Sequence, residues 1–241
     1  MKITKILLCA SVVTLFYSCA PEEGKGGLAS IQGVVMTQNI NTLGEKSGAV
    51  YPAADEDVYI SYGNSGLADD KEATSFDGSY KFSNLTKGDY TVFVYSDDTA
   101  SNAKYPKLVC SQKLSLEGKK DEAKADMLTI YKHVDYDDGN GIVSGYVKEI
   151  VQDGNLELAT INGVDIDVYL QYQNSEEILD RYRTDANGKF VISHLIPGNY
   201  RLYALTETLF KHESDTAVIR DFQIKDNFSQ EFVDTIFIRN Y

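Results

Sequence analysis

FDGSYKFSNLTKGDY, from Phe76 to Tyr90, and ANGKFVISHLIPGNY, from Ala186 to Tyr200, keep one spacing: turn glycine, two aromatic or apolar positions, Leu, Gly, Tyr. Asp77-Gly78 and Asn187-Gly188 tolerate positive φ, so each pair predicts a tight two-residue hairpin. Beyond the turn, Tyr80 and Phe82 alternate with polar residues, as Phe190 and Ile192 alternate with Val191 and Ser193, giving strands with one face suited to burial. Leu85-x-x-Gly88-x-Tyr90 and Leu195-x-x-Gly198-x-Tyr200 then bend the chain into a further strand. At such a corner Tyr90 and Tyr200 are expected to be structural, with the ring buried and the hydroxyl on backbone a few residues upstream.

The two stretches sit inside longer copies. Gln32–Val35 and Asp57–Tyr62 precede the first, as Ser144–Val147 and Asp167–Tyr172 precede the second; Val109–Leu116 with Met127–Tyr131, and Val218–Ile224 with Thr235–Ile238, close them. An offset of about 110 residues across all five elements is the mark of a duplicated fold. Short strands, turn signals and no helical periodicity give an all-β chain of two tandem antiparallel Greek-key β-sandwich modules. The first spans 28–132 and the second 141–241, joined by an acidic linker at 133–140. Each is large enough for a core of its own.

Residues 1–18 carry Lys2 and Lys5, then a run of about eleven mostly apolar residues from Ile6 to Phe16, the pattern of an export signal and too short to span a bilayer comfortably. Cys19 follows Ser18 in an arrangement that resembles a bacterial lipobox, although Phe16 and Tyr17 are bulky for one. The resemblance implies lipidation of Cys19 and partnership with a membrane through the lipid anchor. Residues 19–27 have the glycine, proline and charge of a flexible tether. Glu22-Glu23 either is a solvated spacer or resembles the signal that sends Bacteroidetes lipoproteins to the outer face of the outer membrane. The net charge of −13 becomes −15 without the two leader lysines, and this argues against nucleic acid as a partner. Cys110, in an apolar strand, reads as a small core residue rather than a reactive thiol.

The pattern G-x-V, D-V-x-[IL], then [DN]-G-x-[YF]-x-[FI]-x-x-L-x-x-G-x-Y resembles the transthyretin-like, or prealbumin-like, modules. These include carboxypeptidase regulatory-like domains and the Cna-type B repeats of surface proteins, and the resemblance speaks to fold more than to function. Some Cna-type B modules carry a Lys–Asn isopeptide bond. The matching places here are Lys148 with Asn240 and Met36 with Lys132, without an evident acidic partner.

No catalytic constellation is legible: His133, His194 and His212 are scattered, without an HExxH pair or a nucleophile–base spacing. Asp135, Asp137 and Asp138 offer hard oxygens to calcium but miss the EF-hand order, so an ordinary solvated linker is expected, with neither metal nor cofactor. By strand parity Tyr90, Val92 and Val94 point inward, leaving Thr91, Phe93 and Tyr95, and in the second module Arg201, Tyr203 and Leu205, outward; Tyr59 and Tyr169 fall outward by the same count, and Tyr59, Phe93, Tyr95, Tyr169 and Tyr203 form a candidate ligand face. Two functions remain open. One is a non-enzymatic, membrane-anchored interaction, adhesion or spacer module with a protein or surface polysaccharide as partner; the other is carbohydrate binding linked to glycan uptake. An exposed, coplanar aromatic cluster would favour the second.

Overall fold

The computed structural model describes residues 23–63, 65–100, 107–154, 156–206 and 216–240. The export segment, Cys19 and His212 lie outside them. The described residues form an all-β fold of two sandwiches. In the first, β1 (Lys25–Ile40) is the spine. Its first half pairs antiparallel with β5 (Ser79–Leu85) and parallel with β8 (Glu122–Lys124); its second half pairs antiparallel with β2 (Lys46–Pro52) and parallel with β9 (Leu128–His133). The opposing sheet runs β4 (Asp70–Ala73), β3 (Asp57–Tyr62), β6 (Gly88–Asp97), β7 (Lys107–Leu116), all antiparallel.

The second sandwich repeats this plan. β10 (Gly141–Asp153) is its spine, flanked by β11 (Leu156–Asn162), β14 (Lys189–Leu195), β17 (Gln230–Phe232) and β18 (Ile236–Asn240). Across the core lie β13 (Ile178–Arg183), β12 (Asp167–Tyr172), β15 (Gly198–Thr206) and β16 (Thr216–Ile224). The two closing strands of each module therefore run parallel to the spine within otherwise antiparallel sheets. Non-glycine residues with positive φ recur at matched places, Asp55 with Asp165 and Asn84 with His194, so the copy extends to unusual backbone conformations.

Two separate cores fill the sandwiches. Tyr90, Val92 and Val94 of β6 meet Ile31, Phe82 and Leu85 in the first; Tyr200, Leu202 and Ala204 of β15 meet Val143, Phe190 and Ile192 in the second. At the corners Tyr90 Oη donates to Thr86 O at 2.8 Å and Tyr200 Oη to Ile196 O at 2.9 Å.

The structure adds to the sequence reading at four places. Asp77-Gly78 and Asn187-Gly188 do not close hairpins, because β4 pairs with β3 while β5 pairs with β1, and β13 and β14 likewise belong to different sheets. They are crossing turns between sheets, closed by Gly78 N–H on Ser75 O and Gly188 N–H on Asp185 O, both at 2.9 Å. A buried threonine ahead of each turn supplies what pairing does not. Thr184 Oγ1 accepts from Ile166 N–H at 2.9 Å and donates to Gly163 O at 2.6 Å; Thr74 does the same with Glu56 N–H and Ala53 O.

The acidic linker is not simply solvated. Tyr136 Oη donates to Asp180 at 3.1 Å, Ile196 N–H to Tyr136 O at 3.0 Å and Gly139 N–H to His194 O at 2.8 Å, and Val134 and Tyr136 pack on the second core. An aromatic side chain with apolar neighbours gains more on the sandwich than in water. The tether ends earlier than composition suggests, because β1 already begins at Lys25 and Gly24 N–H donates to Tyr90 Oη at 3.2 Å. Finally, β9 reaches His133, so the first module ends one residue beyond the expected 132. The β1–β2 hairpin touches the second module, where Ser47 Oγ donates to Pro197 O at 2.8 Å and Asn174 Nδ2 to Glu45 Oε1 at 3.1 Å.

Candidate functional site

Cross-strand register places Tyr59 opposite Phe93, Ser61 opposite Thr91, Phe93 opposite Ser111, Tyr95 opposite Val109 and Thr91 opposite Lys113. Period-two alternation puts all of these on the outer face of the four-stranded sheet, since their neighbours Val58, Ile60, Val92 and Val94 are in the core. Three of the five residues of the expected ligand face are thereby brought together. Tyr59 and Phe93 stack with ring centroids 5.3 Å apart at an interplanar angle of 17°, and Tyr95 meets both edge-on at 5.4 and 5.9 Å. The rings cover one another and do not lie side by side as a flat platform.

Beside them opens a groove of about 440 Å³, whose floor carries Ser61, Thr91 and Ser111 and whose sides include Phe93, Tyr95, Leu67 and Lys113. The wall is the β3–β4 loop, held over the sheet by polar contacts. Ser61 Oγ and Ser65 Oγ lie 2.9 Å apart, Asp69 accepts from Tyr62 N–H at 2.7 Å and from Ser65 Oγ at 3.1 Å, and Asp69 N–H donates to Ile60 O at 2.9 Å. Gly63 and Gly66, at φ 57° and 69°, supply the left-handed backbone that the loop needs to fold back. A second depression adjoins at Lys113 and Thr91 and is bordered by Asp89 and Ser115.

The matching face of the second module has a different chemistry. Tyr169 and Tyr203 stack at 5.0 Å and 16°, repeating the pair above. Where the first module has Thr91, Ser111 and Lys113, the register puts Arg201, Ile219 and Asp221. Arg201 grips Asp221 with two bonds of 2.8 and 3.2 Å, and Gln173 adds a third at 3.1 Å. The Arg201 guanidinium holds the Asp221 carboxyl below the usual carboxylate range. Arg181 and Arg183 are tied to Asp167 at 3.3 and 3.1 Å.

Other candidate residues are dispersed. Asp135 and Asp138 close a turn on each other, Asp135 N–H donating to Asp138 Oδ2 at 2.9 Å, and among the described residues no group of three or more metal-ligating side chains comes together. Lys148 donates to Asn162 Oδ1 at 3.3 Å, and the register sets Asn240 opposite Val151. Ser193 and His194 share a 2.9 Å hydrogen bond between exposed neighbouring side chains at the end of β14. Cys110 is free and half-buried on β7, and burial pushes its thiol up. Strand parity placed Thr91 outward; sequence reasoning missed Ser61, Ser111 and Lys113, and the buried Thr74 and Thr184.

No family model matches the chain, and no curated protein does. Among solved structures it is similar to the Bacillus anthracis TIE protein (14% identity, TM-score 0.29), covering 87% of this chain and 34% of that one, so it spans about a third of that protein. It is also similar to the minor pilin of Streptococcus agalactiae (13%, 0.32), over 88% and 96% of the two chains. A DUF3823 family protein from Bacteroides uniformis (11%, 0.24) is covered over 99% of its length and 83% of this chain. At these scores the likeness carries no weight for function, and the fold stands on the strand pairing itself.

Proposed function

We propose that the chain is a non-enzymatic lipoprotein of the cell envelope, anchored through Cys19 on the outer membrane and facing outward, whose two sandwiches act as interaction, adhesion or spacer modules. The observation that supports this best is the aromatic outer face of the first module, Tyr59, Phe93 and Tyr95, on a paired sheet, with Phe93 and Tyr95 lining a groove. Large aromatics presented by a rigid scaffold are the residue types on which binding energy concentrates. The nearby carboxylate Asp57 is committed to Lys71 at 2.7 Å, and the Ser193–His194 pair lies on β14 of the second module, so neither is placed for chemistry at this face.

The stacked rings lack the coplanar arrangement that would favour carbohydrate binding, but the groove supports it as a second reading, because it sets hydroxyls beside an aromatic ring. Two experiments test the primary reading. Labelling with an alkynyl fatty acid should mark the wild-type chain and not Cys19→Ser, and protease treatment of intact cells should release both sandwiches. Labelling of Cys19→Ser, or a chain untouched by protease until cells are broken, would refute the anchor or the outward orientation.

A further inference from the structure

We propose that the groove of the first module takes a sugar ring bearing a carboxylate, and that the second module has lost the equivalent site by filling it. This deepens the carbohydrate reading and rests on it. The two modules are copies, so a difference at matched positions on the same outer face isolates what only one of them has kept. In the first, Thr91, Ser111 and Lys113 leave an open floor. In the second, Arg201, Ile219 and Asp221 occupy those places, and the bidentate Arg201–Asp221 pair with Gln173 spans the space. The wall differs as well. The β3–β4 loop has two residues more than the β12–β13 loop, 63–69 against 173–177, and the longer one places Leu67 at the lip, 72% exposed.

The chemistry of the groove selects the ligand class. Thr91 and Ser111 each offer a hydroxyl that both donates and accepts, which suits the vicinal hydroxyls of a polyol, while the buried Ser61 hydroxyl is joined to Ser65 and supports the wall. Phe93, stacked by Tyr59 on one side, lines the groove where the apolar face of a pyranose can pack. Lys113 is exposed at one end and has no hydrogen bond or ion pair among the described residues, in a chain of net charge −13. An unneutralised cation in an acidic protein is a natural partner for a carboxylate, with Asp89 across the adjoining depression disfavouring any second anion there. A peptide is the poorer fit. β3 and β6 are paired on both sides, so beneath Thr91 and Phe93 the sheet presents side chains and no free backbone edge to an extended chain; the edge strand β7 lines the groove with Val109, Ser111 and Lys113 from the outer face. The volume lies within the ~300–1,000 Å³ typical of small-ligand sites.

The test is calorimetric titration of the full chain with trigalacturonate, 3′-sialyllactose and a hyaluronan tetrasaccharide, against galactotriose and an acidic hexapeptide. At least one acidic sugar should bind, at least about tenfold more tightly than galactotriose, as expected for one charge-assisted contact. Ser111→Ile, which installs the second module's residue at an exposed position, should abolish that binding; Lys113→Gln should weaken it about tenfold and flatten its salt dependence. Equal binding of neutral and acidic sugars, still blocked by Ser111→Ile, would overturn the acidic class while leaving the carbohydrate reading standing. Binding of the hexapeptide alone, or no sugar binding at all, would overturn both.

Discussion

Replacing the corner tyrosines one at a time by phenylalanine should separate the two modules by an amount set by their hydrogen bonds. In both, the ring is fully buried and phenylalanine keeps its packing, so the change isolates the hydroxyl. Tyr200 Oη serves one group, Ile196 O at 2.9 Å. Its loss strands a single buried carbonyl, costing about 1–2 kcal/mol. Tyr90 Oη serves more than one, donating to Thr86 O at 2.8 Å, accepting from Gly24 N–H at 3.2 Å and lying 3.3 Å from Thr86 Oγ1. Tyr90→Phe should therefore cost about 2–3 kcal/mol and release Glu23–Gly27 from the corner. At about 4–8 °C per kcal/mol for a module of this size, the first transition should fall by roughly 10–20 °C in Tyr90→Phe and the second by roughly 5–15 °C in Tyr200→Phe. Differential scanning calorimetry with hydrogen exchange on peptides from each module reads both quantities. Losses below about 0.5 kcal/mol for both variants, or a larger loss in Tyr200→Phe, would refute this account of the corners.

Thr184→Val should cost about 2–4 kcal/mol in urea denaturation, because Ile166 N–H and Gly163 O both lose a buried partner, and Thr184→Ser should recover most of it. Burial pushes the Asp97 carboxyl up, but the Lys107 ammonium and the His133 backbone N–H outweigh it and leave the group below its ordinary range. A lowered folded value contributes stability in full above the unfolded value of ~4 and loses it as pH falls through the folded value, so the first transition should drop more steeply below pH ~4 in wild type than in Asp97→Asn. Cys110, half-buried and with its thiol pushed up, should react with iodoacetamide at pH 8 at least about tenfold more slowly in the native chain than in urea. Equal rates would place it on an open surface.

The architecture was legible because strand parity, corner tyrosines and turn glycines are local signals repeated twice. What escaped depended on partners distant in sequence. Asp77-Gly78 carries the composition of a hairpin turn, and only the pairing of β5 with β1 shows that it crosses between sheets. Thr74 and Thr184 stand in the same place before both turns, so the repeat itself held a signal for their role. The docking of Tyr136 on Asp180, 44 residues away, has no local mark in an acidic stretch that otherwise reads as solvated. The same holds for the groove. Parity identified Tyr59, Thr91, Phe93 and Tyr95 as outward, but Ser61, Ser111 and Lys113 read singly as ordinary surface residues. They become a floor once the loop held by Ser65 and Asp69 folds over them. Position-by-position comparison of the two copies would have shown the hydroxyls facing bulky or charged counterparts.

The direct check on a duplicated sandwich whose first copy alone keeps an open face is a map of backbone amide shifts. The full chain, labelled with ¹⁵N, would be titrated with the acidic oligosaccharide that binds most tightly. Shifts should concentrate at Ser61, Leu67, Thr91, Phe93, Ser111 and Lys113 and leave Gln171, Arg201, Tyr203, Ile219 and Asp221 unmoved. Comparable shifts on both faces, or shifts confined to the second module, would contradict it.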